Sequence, residues 1–295
     1  MNPAKPFIKW AGGKGKLLPE IRKSYPKDLG GRINKYAEPF VGGGAVLFDI
    51  LNTFNMKEIY ISDINRELIN TYKVIRDDVT PLIEVLSDFQ AKYITANAAT
   101  RKSIYYNSRE RYNHLKSSDY DPVELAALFI FLNRTCFNGL YRVNAKGGFN
   151  VPQGDYKNPQ ICDEENLQAV SAKLQNVIIT HGDYTLSENF IDSKTFAYFD
   201  PPYRPLSTTA NFTSYTTANF NDTDQTNLAD FINKMSEQGA HITASNSDPK
   251  NTNENDNFFD NLYTKHKITR IQAARAINSN AAKRGKINEL LITSG

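Results

Sequence analysis

The fold is decided by the stretch Ala197-Tyr198-Phe199-Asp200-Pro201-Pro202-Tyr203, in which an apolar strand runs into an acid, two prolines and an aromatic ring. A prolyl residue has no N–H to donate and a fixed φ, so a sheet ladder cannot continue past Pro201 and Pro202. An ordinary proline turn is one interpretation, because Asp-Pro often initiates turns. The other is a reaction centre, with Asp200, Pro201, Pro202 and Tyr203 as its catalytic residues.

The chemistry of this stretch suits one kind of substrate. An exocyclic amine of a nucleobase is a poor nucleophile, because its lone pair is conjugated with the ring. The Asp200 carboxylate and the Pro201 carbonyl are two acceptors that can take both N–H bonds of such an amine and draw its nitrogen towards tetrahedral geometry. The lone pair is then free to attack an electrophilic methyl group, while Tyr203 stacks on the base.

Three other predicted strands end in a glycine turn or an acid, namely residues 36–41 before Gly42, 58–63 with Asp63, and 176–183 with Asp183. Ligands of an open α/β sheet bind outside the carboxyl ends of its strands, where glycines allow close approach and an acid accepts ribose hydroxyls. Asp63 is therefore a candidate for binding a ribose, and Asn65 is expected to cap the next helix. Leu47 stands where G-x-G-x-x-G has its third glycine, which argues against a nicotinamide-dependent oxidoreductase.

The N-terminal segment contains Trp10, the only tryptophan of the chain, beside two glycines and two lysines, Lys9 and Lys14. Such a ring can form the wall of a pocket for a flat ligand, with cations nearby. A tryptophan buried by an N-terminal strand is an equally good interpretation of this local sequence.

Composition sets outer limits on the class of protein. With 295 residues, 40% hydrophobic and 23% charged, the chain is long enough for one large domain or two smaller ones. No apolar run approaches the roughly 18 residues of a membrane span. Its two cysteines offer neither a disulfide framework nor a metal knuckle, so we expect no metal site and a cytoplasmic location. The net charge of +3 permits a polyanionic partner without demonstrating one.

Residues 76–160 show a different pattern, with helices predicted at 81–89, 103–115 and 125–132. The last of these is almost wholly apolar, must be buried, and has Asp121 and Pro122 as its start signal. Two alternating runs then flank a turn at 145–148, which predicts a β-hairpin exposing Asn138 and Arg142. Arginine and asparagine match the edges of guanine and adenine, although an ordinary solvated hairpin has the same pattern.

Taken together, these motifs closely resemble the DNA adenine methyltransferase (Dam) family, the α group of adenine-N6 methyltransferases. The resemblance rests on Lys9-Trp10-Ala11-Gly12-Gly13-Lys14, Pro39-Phe40-Val41-Gly42-Gly43-Gly44 and Asp200-Pro201-Pro202-Tyr203, in that family's order, and on shorter matches such as Pro205-Leu206-Ser207. It implies an α/β, Rossmann-like S-adenosylmethionine-dependent methyltransferase fold, with residues 1–75 and 161–295 forming the catalytic domain. Residues 76–160 would be an inserted, mainly helical target-recognition domain carrying the β-hairpin.

The resemblance also assigns site residues. Cofactor contacts carried over by position are Trp10, Lys14, Phe40, Gly42, Asp63, Asp183 and Asp200. Lys9 and Arg142 would read guanines of a GATC site in double-stranded DNA, and Phe137, Asn138 and Leu140 would enter the duplex near a target adenine flipped out of the helix. Pro152 and Tyr156 would complete this surface. The family likeness further implies a monomer with no obligatory protein partner and no membrane association.

Three alternatives stay open on sequence alone. A cytosine-N4 methyltransferase is disfavoured by Asp200, because serine is expected before the prolines there, and an RNA adenine methyltransferase by the DNA-type hairpin. A DNA-binding protein without catalysis is disfavoured, because both the cofactor motif and the catalytic motif are intact.

Overall fold

The computed structural model describes residues 2–116, 121–204, 220–274 and 286–294, so Pro205-Leu206-Ser207 lies outside the described residues. A seven-stranded sheet with the order β3-β2-β1-β4-β5-β7-β6 forms the centre of the fold. Strands β1 to β5 are parallel, and β7 is antiparallel to both of its neighbours. The strands are β1 (Lys35–Glu38), β2 (Glu58–Asp63), β3 (Val177–His181), β4 (Thr195–Phe199), β5 (His241–Ser247), β6 (Lys267–Ala274) and β7 (Lys286–Thr293).

Helices cover both faces of this sheet. They are α1 (Leu18–Ile21), α2 (Ala45–Thr53), α3 (Arg66–Asp77), α4 (Val79–Thr95), α5 (Ala98–Leu115), α6 (Pro122–Thr135), α7 (Glu164–Leu174), α8 (Asp222–Glu237) and α9 (Phe258–Leu262). Alternate residues of a strand enter different apolar clusters: Tyr36 of β1 belongs to the cluster that contains residues of α2 and α3, whereas Ala37 belongs to the one that contains residues of α8. The sheet is therefore doubly wound, which confirms the predicted α/β class.

The strand order reverses direction between β1 and β4. The chain leaves β1 through α2 to reach β2 on one side, and the later strands β4 and β5 lie on the other side. At such a switch point the connections diverge and leave a crevice outside the carboxyl ends of the strands. The glycine turn after β1 and Asp200 after β4 both lie at this crevice.

The helical segment packs directly onto the α/β layer. α6 contacts α3, α4 and α5, and residues 125–132 are all buried, as their apolar sequence predicts. Its start is also as predicted, because the Asp121 side chain accepts a hydrogen bond from the Val123 N–H and Pro122 is the first helical residue. Tyr72 of α3 and Phe131 of α6 belong to one continuous apolar cluster. None of the helices described is long and apolar enough to cross a membrane.

The predicted hairpin is shorter than its sequence pattern suggests. One β-bridge, Val143 to Phe149, joins its two arms near the turn, a second, Cys136 to Gln153, lies at its base, and no strand is formed there. Phe149 is 3% exposed, and its backbone N–H and carbonyl bond the side chain of Asn113 on α5, at 2.7 and 3.0 Å. Hydrogen bonds from the Asn144 N–H to the Gly148 carbonyl and from the Asn150 N–H to the Arg142 carbonyl flank the bridge, so the Phe149 backbone groups point away from the opposite arm and fix this arm to α5.

Candidate active site

Asp63 holds the glycine turn that follows β1. Its Oδ2 accepts a hydrogen bond from the Gly42 N–H at 3.0 Å, and its Oδ1 accepts one from the Asn65 N–H at 2.9 Å. The Asn65 side chain caps α3 by accepting from the Leu68 N–H, as the sequence predicts. Burial raises the pKa of Asp63, and the two backbone donors oppose that rise.

Trp10 lies directly against this turn. A Cβ atom added at Gly42 would come within 2.8 Å of Trp10 Nε1, and one added at Gly43 within 2.9 Å of Trp10 Cβ. Gly42 also has φ 47°, in the left-handed region where a side chain is strained. Glycine is therefore required by both space and conformation, and a half-buried indole forms one wall of the crevice. That ring stacks on Tyr141 with centroids 5.9 Å apart.

Aromatic side chains form another part of the crevice. Phe40 stacks on Tyr184 with centroids 5.7 Å apart and meets Phe220 edge-on at 6.1 Å. Asp183, just before Tyr184, is exposed and caps the following turn by accepting from the Thr185 N–H at 2.8 Å. The carboxyl ends of β1 and β3 thus contribute neighbouring groups across β2.

Lys14 and Asp200 form an ion pair at the switch point. Lys14 Nζ lies 2.8 Å from Asp200 Oδ2, with side-chain exposures of 6% and 19%, and it donates to the Gly12 carbonyl at 2.7 Å. Asp200 Oδ1 is buried and has no hydrogen-bond partner among the described residues. Burial raises the pKa of Asp200, and the neighbouring Lys14 ammonium opposes that rise.

A second carboxyl group lies close to this pair. Glu38, the last residue of β1, is 2% exposed and accepts a hydrogen bond from the Tyr36 hydroxyl at 2.7 Å. Burial raises its pKa well above the usual range, and the charge of Asp200 raises it further. Sequence reasoning gave Glu38 no role, although it is also an acid at the end of a strand.

An amide pair fixes the backbone that follows Asp200. The Pro202 carbonyl accepts a hydrogen bond from Gln225 Nε2 at 3.0 Å, and Gln225 Oε1 accepts one from Asn246 Nδ2 at 3.0 Å. Asn246 Oδ1 in turn accepts from the Arg204 N–H at 3.2 Å. Asn246 is signalled in the sequence by its place near the end of β5, whereas Gln225 on α8 has no such signal. No donor from the described residues reaches the Pro201 carbonyl.

Arg204 anchors the far end of the motif. Its guanidinium bonds both carboxylate oxygens of Asp222 at 2.7 and 2.9 Å, bonds Asp256 at 2.7 Å, and lies 4.4 Å from the centre of the Phe258 ring. Two planar acid contacts and a ring face are the surroundings that arginine, rather than lysine, matches. Arg204, the residue after Tyr203, is thus bonded to groups of β5, α8 and the loop before α9.

Tyr203 is fixed at its hydroxyl. That hydroxyl donates to Glu289 Oε2 on β7 at 2.7 Å, and Lys14 Nζ lies 4.7 Å from the centre of its ring. Glu289 is a site residue that sequence reasoning missed, since nothing in the local pattern of β7 distinguishes it.

Several residues predicted to bind DNA come together on one surface. Lys9 Nζ lies over the Tyr156 ring at 4.2 Å. Asn133, near the end of α6, accepts from the Lys9 N–H at 2.8 Å and donates to the carbonyls of Lys9 and Gly139 at 2.8 and 3.1 Å. The N-terminal segment is therefore fixed to α6 beside the turn at 137–139.

The rest of this predicted surface lies around that turn and along the short hairpin. Phe137 is 51% exposed, and its N–H donates to the Pro152 carbonyl at 2.9 Å. Asn138 is exposed with φ 56°, and Leu140 is half-buried. Arg142 is exposed on the hairpin, where its Nε donates to Asn150 Oδ1 at 2.8 Å.

Known proteins similar to this chain point to one family. The D12 class N6 adenine-specific DNA methyltransferase model matches residues 10–277. The chain is 49% identical, over 98% of both sequences, to the Type II methyltransferase M.MjaIII of Methanocaldococcus jannaschii. It is 38% identical to the Type II methyltransferase M1.LlaDCHI of Lactococcus lactis subsp. cremoris, over 98% of this chain and 95% of that one. It is 35% identical to the DNA adenine methylase of Escherichia coli (strain K12), over 99% of this chain and 95% of that one. The chain therefore belongs to the D12 class of N6 adenine-specific DNA methyltransferases.

Proposed function

We propose that this adenine-specific DNA methyltransferase transfers the methyl group of S-adenosylmethionine to adenine N6 in duplex GATC, with the target base flipped out of the helix. Residues 76–160 would act as the target-recognition domain, and residues 1–75 and 161–295 as the catalytic domain. We further propose that the protein acts in the cytoplasm as a monomer. The proposal is supported above all by one feature of the site, the free acceptors of Asp200 and Pro201.

These two acceptors match the two N–H bonds of an adenine amino group. Asp200 Oδ1 is buried without a partner among the described residues, and the Pro201 carbonyl receives no donor from them. A buried acceptor left without a donor carries a desolvation cost of about 1–3 kcal/mol, which a substrate N–H would recover. Lys14 holds the other carboxylate oxygen, so the free one has a fixed position.

The crevice beside β1 fits S-adenosylmethionine. Trp10 and Phe40 provide aromatic surface for a flat base, and the glycine turn leaves open the space that a Cβ at Gly42 or Gly43 would take from Trp10. The Asp63 oxygens each accept one backbone N–H and retain a lone pair for a ribose hydroxyl. When bound, this donor would supply an electrophilic methyl group on a sulfonium.

The roles of the remaining cofactor residues follow from their charge and place. Lys14 keeps Asp200 ionised against its burial, and Asp183 presents an exposed carboxylate at the carboxyl end of β3. Asp200 and Pro201 orient the amine, Pro202 keeps the turn rigid, and Tyr203 stacks on the base. The acceleration comes from positioning and electrostatics, and no covalent enzyme intermediate is required.

Recognition would use the surface around Phe137. An exposed aromatic side chain can wedge between base steps, which supports entry of Phe137 into the duplex with Asn138 and Leu140. Arg142 and Lys9 carry the cations suited to guanine edges, and each such bidentate pair discriminates by about 1–3 kcal/mol. Pro152 and Tyr156 would complete this surface, since the Pro152 carbonyl accepts the Phe137 N–H and the Tyr156 ring contacts Lys9.

The test is transfer of labelled methyl from S-adenosylmethionine to GATC duplexes and to duplexes with one base of the site changed, followed by base analysis. Label in adenine of GATC alone is the expected result, and label in adenine of another sequence would refute the site. The Asp200→Asn variant should bind duplex normally and transfer no methyl; turnover near that of the unaltered protein would refute the role of Asp200.

A further inference from the structure

The side chain of Glu289 enters the active site from a strand to which no motif points. Glu289 is on β7, the antiparallel strand, where it pairs in register with Ser247 of β5. It is half-buried and accepts the Tyr203 hydroxyl proton at 2.7 Å. The bond joins residues that are 86 positions apart in the chain.

We propose that Glu289 is a positioning residue for methyl transfer, which fixes the Tyr203 ring against the target base and places a negative charge beside the reacting amine. The inference rests on the proposed function, because it takes Tyr203 as the ring on which the flipped adenine stacks.

The ring of Tyr203 is constrained at two points. Its hydroxyl is bonded to a carboxylate, a charge-assisted hydrogen bond that is shorter and stronger than a neutral one. The Lys14 ammonium lies over the ring at 4.7 Å, so a base would stack on the opposite face. Without the carboxylate, the hydroxyl end of the ring would lose its 2.7 Å hydrogen bond to β7.

The charge of Glu289 matters because methylation creates a cation. As the S–CH₃ bond of the donor breaks and the N–CH₃ bond forms, N6 becomes positive and stays so until one of its two protons leaves for Asp200 or water. The single positive charge of Lys14 is already paired with Asp200. Glu289 adds a second negative charge close to Asp200, which favours the cationic state of the amine.

The same charge acts on Asp200 itself. The titratable groups that influence the Asp200 carboxyl come from four parts of the fold: Lys14 from the N-terminal segment, Glu38 from the end of β1, Tyr198 and Tyr203 from β4 and the motif, and Glu289 from β7. Lys14 lowers the pKa of Asp200 and Glu289 raises it. A raised pKa makes the carboxylate a better acceptor for the proton that leaves N6.

Three variants separate the two effects. Glu289→Gln keeps an oxygen that accepts the Tyr203 hydroxyl and removes the charge, Glu289→Ala removes both, and Tyr203→Phe removes only the hydroxyl. Glu237→Gln is the matched control, because Glu237 is an exposed carboxylate paired with Lys265 away from the crevice.

For each variant we would measure kcat, KM for duplex and for S-adenosylmethionine, DNA affinity and the pH dependence of single-turnover methylation. Glu289→Gln should lower kcat about tenfold, the size expected when a charge-assisted bond becomes neutral, with DNA affinity and melting temperature unchanged. The acid limb of its pH profile should move to lower pH, because Asp200 stays ionised further into acid. Glu289→Ala should lower kcat more, and adding Tyr203→Phe to it should cost less than Tyr203→Phe alone.

Two results would overturn the proposal. One is Glu289→Gln with the kcat and acid limb of the unaltered protein; the other is full additivity of Glu289→Ala and Tyr203→Phe. All variants are compared on whichever duplex the unaltered protein methylates, so a different recognition site would refute GATC and leave this comparison intact. No methyl transfer by the unaltered protein would refute the proposed function and the role of Glu289 together, whereas an unaffected Glu289→Gln would refute the latter alone.

Discussion

Replacing Lys14 by methionine removes the ammonium 2.8 Å from Asp200 and keeps most of the apolar stem. We expect two consequences. The folded protein loses stability wherever Asp200 is ionised, and methylation fails at low pH sooner than in the unaltered protein. Both follow from the same cause. Burial raises the pKa of Asp200, and the Lys14 ammonium is the largest influence that lowers it.

The size of the stability loss can be worked from the burial of the pair. Breaking a buried ion pair by removing one partner costs about 3–5 kcal/mol, and we take about 3 because Asp200 is still 19% exposed. Unfolding entropy near ~2.1 cal/mol/K per residue gives about 0.6 kcal/mol/K for 295 residues. Dividing the two predicts a melting temperature lower by about 5 °C.

The loss should depend on pH with a definite sign. The folded pKa of Asp200 is raised, so ionising this group destabilises the fold, and it does so more once Lys14 is gone. Lys14→Met should therefore melt closest to the unaltered protein at acid pH, where Asp200 is protonated in both, and fall further below it at neutral pH, where Asp200 is ionised. Its methylation profile should have an acid limb at higher pH, because the carboxylate must be ionised to accept the amine.

Calorimetry at both pH values, with kcat measured across the range, checks this reasoning. Lys14→Arg is the control that keeps the charge, and Asp200→Asn is the background in which Lys14→Met should cost little. An equal melting deficit at both pH values, or the same deficit in the Asp200→Asn background, would refute the account of this pair.

Three further predictions concern the turn, the hairpin and the capped helix. Gly42→Ala should displace the Trp10 ring and weaken S-adenosylmethionine binding at least about tenfold, since the left-handed conformation costs ~1–2 kcal/mol before the clash is counted. The fluorescence of Trp10, the only tryptophan of the chain, measures this binding, and an unchanged Kd would contradict the prediction. Arg142→Ala should reduce discrimination at one base pair of the site by about 1–3 kcal/mol, measured as kcat/KM on single-change duplexes, whereas uniformly weaker binding would indicate a phosphate contact instead. Asp121→Ala should cost about 1 kcal/mol of stability through loss of the α6 cap, seen in urea unfolding, with methylation kinetics unchanged; Asp88→Ala, at an exposed position within α4, should not match it.

Sequence located those parts of the fold and site that depend on short stretches of chain. Each of these features lies within a few residues of the helix or strand that it begins or ends: the caps Asn65 and Asp121, the glycine turn, and the acids at strand ends. The sheet class and the crevice could be predicted because parallel strands place their carboxyl ends together. The family resemblance was confirmed by the match over residues 10–277.

The remaining features depend on the register between distant segments. Glu289 reaches Tyr203 only because β7 pairs with β5 so that Glu289 lies opposite Ser247. The short hairpin is fixed to α5 because Asn113, 36 residues before Phe149, bonds the backbone N–H and carbonyl of Phe149. Neither pairing leaves a periodic signal in the local sequence, because each is set by how α5 and β7 pack.

The N-terminal segment explains how recognition and chemistry are kept in alignment. Within six residues, Lys9 contacts the proposed DNA surface, Trp10 forms one wall of the proposed cofactor crevice, and Lys14 pairs with Asp200. Asn133 bonds both the N–H and the carbonyl of Lys9, which fixes this segment to α6. Any shift of α6 relative to the sheet would therefore move the DNA contact, the crevice wall and the cation of Asp200 together. A duplex that seats badly on the recognition surface then also disturbs the pair that keeps Asp200 ionised, so site choice would be expressed in kcat as well as in binding.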